Sequence, residues 1–378
     1  MILVIADDLS GAAELAGIAA VHGLRSEVHT RLDLKSRADL IAINTESRSL
    51  EPEQASERVF RIFEKARALN PEWVFKKTDS ALRGNIASEL QALAAATSKQ
   101  RILFIPANPS KHRVIVDGEY QIEGLPITES VFATDPEHPI TQSRITEMIK
   151  PFDRTRIHSI SRSQPSPVEG IIIPDVSTPS DIRHHTTDVD EHTLPAGAAD
   201  FFTALLKERV LSKPTKVAPL SSSNRLFICG SLASWEAGFE RNAKSHQIPI
   251  HTIEDFADHF EAIKNRLKNR EHAALAIGRS LKTGGKNRIT DSNSLLQRLI
   301  KAAKALIDHQ MPTQIFIDGG ATASALFTLM DWHQFKVVPS SLIGVGCLMP
   351  NRSRSTPTLF VKPGSYPWPK KVWEPPTR

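Results

Sequence analysis

Residues 73–86 read Trp-Val-Phe-Lys-Lys-Thr-Asp-Ser-Ala-Leu-Arg-Gly-Asn-Ile. The apolar start of this stretch predicts a β-strand. Ile86, Leu90 and Leu93 recur at the spacing of one helix face, which predicts an α-helix after the polar turn. A strand that leads through a turn into a helix is the unit from which α/β folds are built. Exposed N–H groups at the start of a helix favour anions, so the turn is also a candidate binding site.

The same alternation continues along the chain and predicts the fold class. Short apolar runs predict strands at residues 2–6, 40–44, 73–77, 102–106, 170–174, 225–229, 273–277, 314–318 and 358–361. Amphipathic stretches predict helices at residues 11–22, 52–69, 86–97 and 292–307. We therefore predict an α/β protein with two domains, each with a mostly parallel sheet flanked by helices.

The length and two irregular segments indicate how the chain is divided. A chain of 378 residues exceeds the usual size of one domain, and residues 211–224 are rich in Pro, Ser and Lys, as linkers often are. The predicted domains are therefore residues 1–215 and 216–378. Residues 108–135 carry Pro, Gly and charges at short intervals, and a loop of that length in a compact domain is usually functional.

The composition argues against several classes of protein. The 47 basic and 42 acidic residues give a net charge of +5 that is spread along the chain, and no arginine–aromatic motif indicates a nucleic-acid partner. No apolar run approaches the length of a membrane span, and the N-terminus reads as a first strand and not as a signal peptide. Cys229 and Cys347 lie in apolar surroundings, as small core residues do. We therefore expect a cytoplasmic protein.

The turn after the strand at residues 73–77 collects charged and hydroxyl side chains. Arg83 can grip a carboxylate with two parallel hydrogen bonds. In the alternative interpretation, Asp79 pairs with Arg83 at the start of a helix. That pairing leaves four clustered residues without a role, Lys76, Lys77, Ser80 and Asn85. We therefore favour a site that holds a small hydroxylated acid.

A second candidate site follows the first predicted strand, where Asp7 and Asp8 precede Ser10. Ligands of open α/β sheets bind beyond the carboxyl ends of the strands. Two aspartates there can bind substrate hydroxyls or hold a cation. In the alternative interpretation Asp8 or Ser10 only caps the following helix. We favour the functional interpretation.

Two further loops carry weaker signals. The basic residues 111–113 follow a predicted strand and could close over an anion, although a solvated loop explains them nearly as well. In the second half, Gly319 and Gly320 form a strand-to-helix turn that would let a phosphate approach the backbone, and Thr322 could donate its hydroxyl. A tight turn that needs glycine for its dihedral freedom is an equally good explanation.

Together these motifs resemble those of the four-carbon acid sugar kinase family, formerly the DUF1537 group. The matching stretches are Ala-Asp-Asp-Leu-Ser-Gly-Ala at 6–12, Lys-Thr-Asp-Ser-Ala-Leu-Arg-Gly-Asn at 77–85, Gly-Leu-Pro-Ile-Thr at 124–128 and Gly-Gly-x-Thr-Ala at 319–323. The resemblance covers nearly the whole chain and is specific in the N-terminal half. It implies an N-terminal substrate domain, a C-terminal nucleotide domain and ATP-dependent phosphorylation of a hydroxyl of a small sugar acid, such as threonate, erythronate or a related aldonic or keto acid.

The resemblance also implies which residues form each site. The acid-sugar pocket would be lined by Asp7, Asp8, Lys77, Asp79, Ser80, Arg83, Asn85 and Arg113. The nucleotide would be approached by Gly230, Ser231, Gly278, Gly319, Gly320, Thr322, Gly344, Gly346 and Lys362. ATP and Mg²⁺ are the expected cofactors, because phosphoryl transfer depends on charge neutralisation; the sequence does not identify the metal ligands.

In this reading, Arg83, together with Lys77, neutralises the substrate carboxylate, and either Asp79 or Asp8 accepts the proton of the attacking hydroxyl. The sequence does not choose between the two aspartates. The expected partner is a small sugar acid and neither a nucleic acid nor a membrane, and a homo-oligomer is one option for the assembly.

Three departures from the family pattern keep alternatives open. Ala321 stands where the family usually has Asp, a Pro-rich stretch replaces the glycine-rich ending after Lys362, and His112 precedes Arg113 where the family has Gly. The first two bear on nucleotide binding. The alternatives are an acid-sugar-binding protein without catalysis and a non-kinase acid-sugar enzyme with an impaired nucleotide site.

Overall fold

The computed structural model describes most of the chain. The described residues are 1–134, 139–150, 152–153, 155–161, 164–211, 215, 217, 220, 224–231, 234–277, 292–351, 356–364 and 366–374. Most of the predicted linker and Gly278 therefore lie outside the described residues. No helix among the described residues is both long and apolar enough to cross a bilayer.

Strands and helices alternate through the described residues. The strands are β1 (Ile2–Ala6), β2 (Ser26–His29), β3 (Leu40–Asn44), β4 (Trp73–Lys77), β5 (Arg101–Ile105), β6 (Arg113–Val116), β7 (Glu119–Ile122), β8 (Leu125–Pro126), β9 (Ile157–Ile160), β10 (Gly170–Pro174), β11 (Thr193–Gly197), β12 (Arg225–Cys229), β13 (Ile250–Thr252), β14 (Ala273–Ala276), β15 (Gln314–Asp318), β16 (Gln334–Val337), β17 (Gly346–Pro350) and β18 (Thr358–Lys362).

The α-helices flank these strands. They are α1 (Leu9–Val21), α2 (Pro52–Ala66), α3 (Ile86–Ala96), α4 (Ile145–Met148), α5 (Pro179–Thr186), α6 (Ala199–Arg209), α7 (Glu240–Ser245), α8 (Phe256–Lys268), α9 (Ser292–His309) and α10 (Gly320–Leu329). Short 3-10 turns lie at Arg67–Leu69, Pro109–Lys111, Ile127–Glu129, Val131–Thr134 and Lys370–Val372, and a π-helical turn lies at Trp235–Phe239.

One sheet of 15 strands runs through both halves of the chain, in the order β13-β14-β12-β15-β18-β17-β16-β2-β3-β1-β4-β11-β5-β10-β9. Its pairs are parallel except for β17–β18, β16–β17 and β16–β2. The strands before residue 200 lie on one side of the β16–β2 pair and those after residue 220 on the other, so backbone hydrogen bonds connect the halves. The α/β prediction is confirmed, and the domain boundary between residues 215 and 216 stays a prediction.

The pairing register of β1, β3 and β4 determines where the turns that follow these strands lie. Strand β1 pairs in parallel with β3 and with β4, so that Ala6 stands beside Asn44 on one side and Lys77 on the other. All side chains of β1 and β3 are buried, as expected for parallel strands covered on both faces. The segments that follow residues 6, 44 and 77 therefore leave the sheet at one common edge.

Helix α1 packs against both halves of the protein. It is rich in alanine and glycine, which lets other backbone come close. A methyl group at Gly346 of β17 would lie 2.9 Å from the Ala13 carbonyl carbon, and the position of a methyl at Gly17 lies 3.8 Å from the Val345 carbonyl oxygen. Helix α1 is thus a shared core element at the junction of the two halves.

The predicted strands and helices are all present, with ends shifted by at most a few residues, and the structure adds short elements. Residues 108–135, predicted as a loop, contain a separate antiparallel sheet of β6, β7 and β8. These strands have two to four residues, and their turns use Gly118 and Gly124 at φ values of 73° and 81°. Runs that short carry too little periodicity to be distinguished from loop.

Candidate active site

The carboxyl ends of β1, β3 and β4 lead into charged turns that meet around Arg48. The Arg48 Nε atom lies 2.6 Å from Asp7 Oδ2, and Nη2 lies 3.1 Å from Asp8 Oδ1 and 3.8 Å from Asp79 Oδ1. We call Asp7, Asp8, Asp79, Arg48 and Arg83 the paired cluster. The sequence prediction missed Arg48, although the rule that selected Asp7 and Asp8 also applies to the turn after β3.

Asp8 caps helix α1 and stays ionised. Its Oδ1 accepts a hydrogen bond from the Gly11 N–H at 2.9 Å, and its Oδ2 accepts one from the Ser10 hydroxyl at 2.5 Å. Burial alone would raise the pKa of Asp8, but Arg48, the Ser10 hydroxyl and Lys77 together hold it below its usual value. The capping interpretation therefore describes the geometry, and the same carboxylate is also a charged group at the edge of the sheet.

Asp79 and Arg83 form the i, i+4 ion pair of the alternative interpretation. Arg83 Nε lies 2.7 Å from Asp79 Oδ2, and Nη2 lies 3.1 Å from Oδ1, so the guanidinium holds the carboxylate with two bonds. Burial would raise the pKa of Asp79, but Arg83 and Arg48 hold it well below its usual value. The charge of Arg83 is therefore already balanced within the protein.

Lys77 and Glu14 lie next to the paired cluster. The Lys77 ammonium donates to the Thr78 carbonyl at 2.8 Å and lies 3.7 Å from Glu14 Oε2. Burial raises the pKa of Glu14, and Lys77 and Lys111 only partly oppose it. The sequence prediction missed Glu14, since a single Glu within an alanine-rich helix gives no signal of a site.

Lys111 and Arg113 form a second cationic group, which we call the open pair. Arg113 Nη1 donates to Ser80 Oγ, and the guanidinium carbon lies 5.2 Å from the Phe132 ring centroid and 5.0 Å from that of Tyr366. The Lys111 ammonium lies 5.2 Å from the same Tyr366 centroid. Within the part of the chain that the structure describes, neither cation has a carboxylate at ion-pair distance. Arg113 is nonetheless only 5% exposed.

Asn85 holds the turn that carries Arg48. Its amide donates to the Ser47 carbonyl at 3.0 Å and to the Leu50 carbonyl at 2.7 Å. The neighbouring Gly84 has a φ of +87°, and a methyl group there would lie 2.9 Å from the Arg48 Cγ atom. Both residues therefore fix the position of Arg48, and the amide of Asn85 is already used by the protein.

In the second half, the carboxyl ends of β12, β15 and β18 are adjacent, and Lys362 is buried among them. Its ammonium pairs with Asp318 Oδ1 and donates to Ser234 Oγ at 3.1 Å. The Trp368 indole N–H donates to the other Asp318 oxygen at 3.0 Å. Lys362, which was predicted to approach the nucleotide, is thus directed into the interior and is 1% exposed.

Several residues that were predicted to approach the nucleotide are in close contact with other protein atoms. A methyl group at Gly230 would overlap Thr322, whose hydroxyl side chain is buried, and a methyl at Gly364 would overlap Ser231. Gly319 has a φ of +93°, precedes helix α10 as its N-cap, and donates its N–H to the Lys362 carbonyl at 3.0 Å. The turn at Gly319 therefore fits the tight-turn interpretation, and its glycines also bring neighbouring segments close together.

The two halves meet at Asp8. A methyl group at Gly320 would overlap the Asp8 carboxylate and lie 3.1 Å from the Ser10 nitrogen. A methyl at Gly344 would lie 3.6 Å from the Lys111 ammonium and 3.9 Å from Glu14 Oε1. The structure thus brings one glycine turn of the second half onto Asp8, a predicted acid-sugar residue, and another onto Lys111 and Glu14.

No group of three or more His, Cys, Asp or Glu side chains in the described ranges is arranged to hold a metal ion. A magnesium ion that is held mainly by phosphate oxygens needs only one or two carboxylates from the protein. Asp8 at the contact between the halves and Asp7, whose buried Oδ1 has no hydrogen-bond partner, fit that requirement.

Three curated kinases are similar to part of the chain. D-threonate kinase of Salmonella typhimurium is 36% identical over 157 residues, which are 39% of this chain and 36% of that protein. D-erythronate kinase of Heliobacterium modesticaldum is 30% identical over 39% of this chain and 35% of its own length. 3-Oxo-tetronate kinase of Brucella melitensis is 30% identical over 42% of this chain and 38% of its own length. The chain spans little more than a third of the curated relatives it matches.

Two solved structures share the fold over almost the full length. A Salmonella typhimurium LT2 protein described as a tRNA synthase superposes with a TM-score of 0.79 at 16% identity, over 98% of this chain and 97% of that one. A Haemophilus influenzae protein of the DUF1537 family gives 0.70 at 18% identity, over 98% of both chains. A family model described as a sugar-binding N-terminal domain matches residues 2–204, more than half of the 378 residues. The chain therefore belongs to the family with this sugar-binding domain, in agreement with its resemblance to the four-carbon acid sugar kinases.

Proposed function

We propose that the protein is an ATP-dependent kinase that phosphorylates a hydroxyl of a small sugar acid. The similar kinases act, by their names, on D-threonate, D-erythronate and 3-oxo-tetronate, which suggests an acid of four carbons. We propose residues 1–215 as the substrate domain and 216–378 as the nucleotide domain, working in the cytoplasm.

The contact between Gly320 and Asp8 carries this proposal. A kinase must bring a nucleotide-holding segment within bonding distance of the group that orients the attacking hydroxyl. Helices α1 and α10 both begin at this contact, and their first N–H groups favour anions. A phosphoryl group bound at the rim of this contact would lie near the N–H groups at the start of α10, with the Asp8 carboxylate beside it.

Charge balance favours Arg113 as the anchor of the substrate carboxylate. Arg83, the residue predicted from the sequence, already holds Asp79 with two bonds, whereas no carboxylate among the described residues lies at ion-pair distance from Arg113 or Lys111. A buried guanidinium without a counter-ion binds a carboxylate strongly, since both partners gain charge-assisted hydrogen bonds in a poorly solvated place. We therefore propose that Arg113 and Lys111 bind the acid and that Ser80 contributes a hydroxyl beside them.

For the proton of the attacking hydroxyl, we propose Asp8 as the acceptor and Asp79 as a positioning residue. Asp8 lies against the turn of the second half, where the two substrates would meet. The pKa values of both carboxylates are lowered, and Asp79 is the one that Arg83 holds with two bonds. Because phosphoryl transfer depends mostly on positioning, a carboxylate with a lowered pKa can orient the hydroxyl without first taking its proton.

ATP would supply the phosphoryl group, and Mg²⁺ would offset the charge of its oxygens. Asp8 and Asp7 are the residues that fit the ion, and Gly319, Gly320 and Thr322 are those nearest to the proposed phosphate position. Gly230, Ser231, Gly344, Gly346 and Lys362 would then shape the turns behind it through the packing and ion pairs described above.

The proposal is tested by measuring ADP release with a panel of four- to six-carbon aldonic and keto acids in the presence of ATP and Mg²⁺. Turnover of at least one acid is expected, and Asp8→Asn should lower kcat by about 100-fold or more. Calorimetry with ATP and Mg²⁺ on the full chain provides an independent readout. Binding of an acid without any binding of ATP would overturn the kinase proposal in favour of a binding protein.

A further inference from the structure

Tyr366 lies in the tail that follows β18 and reaches back to the first half of the protein. Its ring stands over both cations of the open pair, at 5.2 Å from the Lys111 ammonium and 5.0 Å from the Arg113 guanidinium carbon. Its phenol oxygen lies 3.4 Å from Ser80 Oγ, the same hydroxyl that accepts a hydrogen bond from Arg113. One side chain of the second half thus contacts three groups of the proposed carboxylate site.

The tail is fixed on either side of this ring. The Tyr366 N–H donates to the Pro363 carbonyl at 3.2 Å, and the Trp368 indole N–H is bound to the buried Asp318. Tyr366 itself is only partly buried. Its position therefore follows from anchors within the second half, and loss of its ring removes little of the core.

An aromatic ring over two cations changes what those cations can bind. The faces of a guanidinium stack on aromatic rings, while its N–H donors lie in its plane and stay available to an anion. Phe132 and Tyr366 both lie against Arg113, which is 5% exposed, so the guanidinium is poorly solvated. Hydrogen bonds from such a poorly solvated cation to a carboxylate are strengthened.

We propose that Tyr366 is a specificity-determining residue that completes the carboxylate subsite of the sugar acid from the nucleotide half. This inference rests on the proposed function, because it takes Lys111 and Arg113 as the anchor of the substrate. Tyr366 favours anionic substrates over neutral polyols of equal length, since its ring orients the two cations and contributes nothing comparable to an uncharged end group.

The test compares wild type, Tyr366→Phe and Tyr366→Ala. Calorimetry measures binding of D-threonate and D-erythronate, with threitol and erythritol as neutral controls, and ADP release is measured with the same compounds. We expect Tyr366→Ala to weaken acid binding by about tenfold and to reduce the preference for acid over polyol by a similar factor. Tyr366→Phe keeps the ring over the cations and should retain most of that preference. Thermal melting checks that both variants remain folded.

The outcomes separate this inference from the proposed function. An acid-to-polyol preference that is the same in Tyr366→Ala and in wild type overturns the role of Tyr366, whatever the turnover. Acid binding that depends on the ring, without any ADP release, supports the role of Tyr366 and overturns the kinase. If none of the acids binds to wild type at millimolar concentration, both assignments are wrong.

Discussion

The two arginines next to the proposed substrate pocket have opposite charge environments. Arg83 belongs to the paired cluster and holds Asp79 with two bonds, whereas Arg113 is buried with a hydroxyl and two aromatic rings around it. Burying a charge without a counter-ion is costly, and the cost is offset when an anionic ligand binds. The arginine that has no carboxylate at ion-pair distance is therefore the better candidate for binding an acid.

Arg113→Ala should have the largest effect. The variant loses the cation of the open pair that is nearest to Ser80, and with it charge-assisted hydrogen bonds to the acid, so kcat/KM should fall by about 100-fold or more, mostly through KM. Steady-state ADP release with the preferred sugar acid measures this. Arg113→Lys is the matched control: it keeps the charge, loses the planar donor geometry, and should fall between wild type and Arg113→Ala.

Arg83→Ala should act mainly on turnover and stability. Removing one partner of a largely buried pair leaves Asp79 with the more distant Arg48, so the free energy of unfolding should fall by about 1–3 kcal/mol. Misplacement of Asp79 should lower kcat by about tenfold, with a smaller rise in KM than Arg113→Ala produces. Urea denaturation measures the free energy of unfolding, and steady-state ADP release measures kcat and KM. A larger KM effect at Arg83 than at Arg113 would restore the sequence-based assignment of the carboxylate to Arg83.

The sequence predicted the architecture well for a physical reason. Strands such as β1, β3 and β15 are buried on both faces and therefore read as continuous apolar runs. Strands β2 and β16, which join the halves, have four residues each with charged or polar members, and no run of that kind stands out. The continuity of the sheet across the halves was therefore not predictable from local pattern.

For the site, the sequence predicted residue types but not their partners. The strand-end rule and the motifs selected Asp8, Asp79, Arg83 and Arg113, which do lie close to one another or to shared partners. It could not tell which cation is balanced, because that depends on contacts between segments distant in sequence. Tyr366 shows this most clearly: a tyrosine in a Pro-rich tail gives no sign that it contacts residues more than 250 positions earlier.

Gly320→Ala should separate the paired cluster from the second half. The added methyl group would overlap the Asp8 carboxylate, so we expect a loss of about 1–3 kcal/mol in the free energy of unfolding and a lower kcat. Gly17→Ala is the matched control, because it lies on α1 at the same junction and its methyl would meet Val345 and Gly346 only at ordinary distances of 3.8 and 3.9 Å.

The control should gain up to about 1 kcal/mol, since alanine replaces glycine inside a helix. Urea denaturation measures both variants. Equal effects of the two substitutions would mean that the contact between Gly320 and Asp8 has no special importance for the site.

Glu14→Gln should give the smallest effect, and it tests the residue that lies between the paired cluster and the open pair. Burial raises the pKa of Glu14 above its usual 4.5, so the native state binds this proton more tightly than the unfolded chain does. The protonated Glu14 side chain therefore contributes to the free energy of unfolding. This contribution is fully present below pH 4.5 and is lost as the pH rises through the raised pKa of Glu14. Glutamine does not titrate, so the variant should lack this decline.

The change of stability with pH is measured from urea denaturation midpoints of wild type and Glu14→Gln between pH 4 and pH 8. About one midpoint per pH unit is enough to define how steeply the stability falls. Glu53→Gln, at an exposed position of α2, is the control for removing a carboxylate elsewhere. If Glu14→Gln keeps the wild-type dependence on pH, then Lys77 and Lys111 stabilise the Glu14 carboxylate about as much as its burial disfavours it. Those two cations would then be partly balanced in the free protein, and the open pair would attract an acid less strongly than the contrast with Arg83 implies.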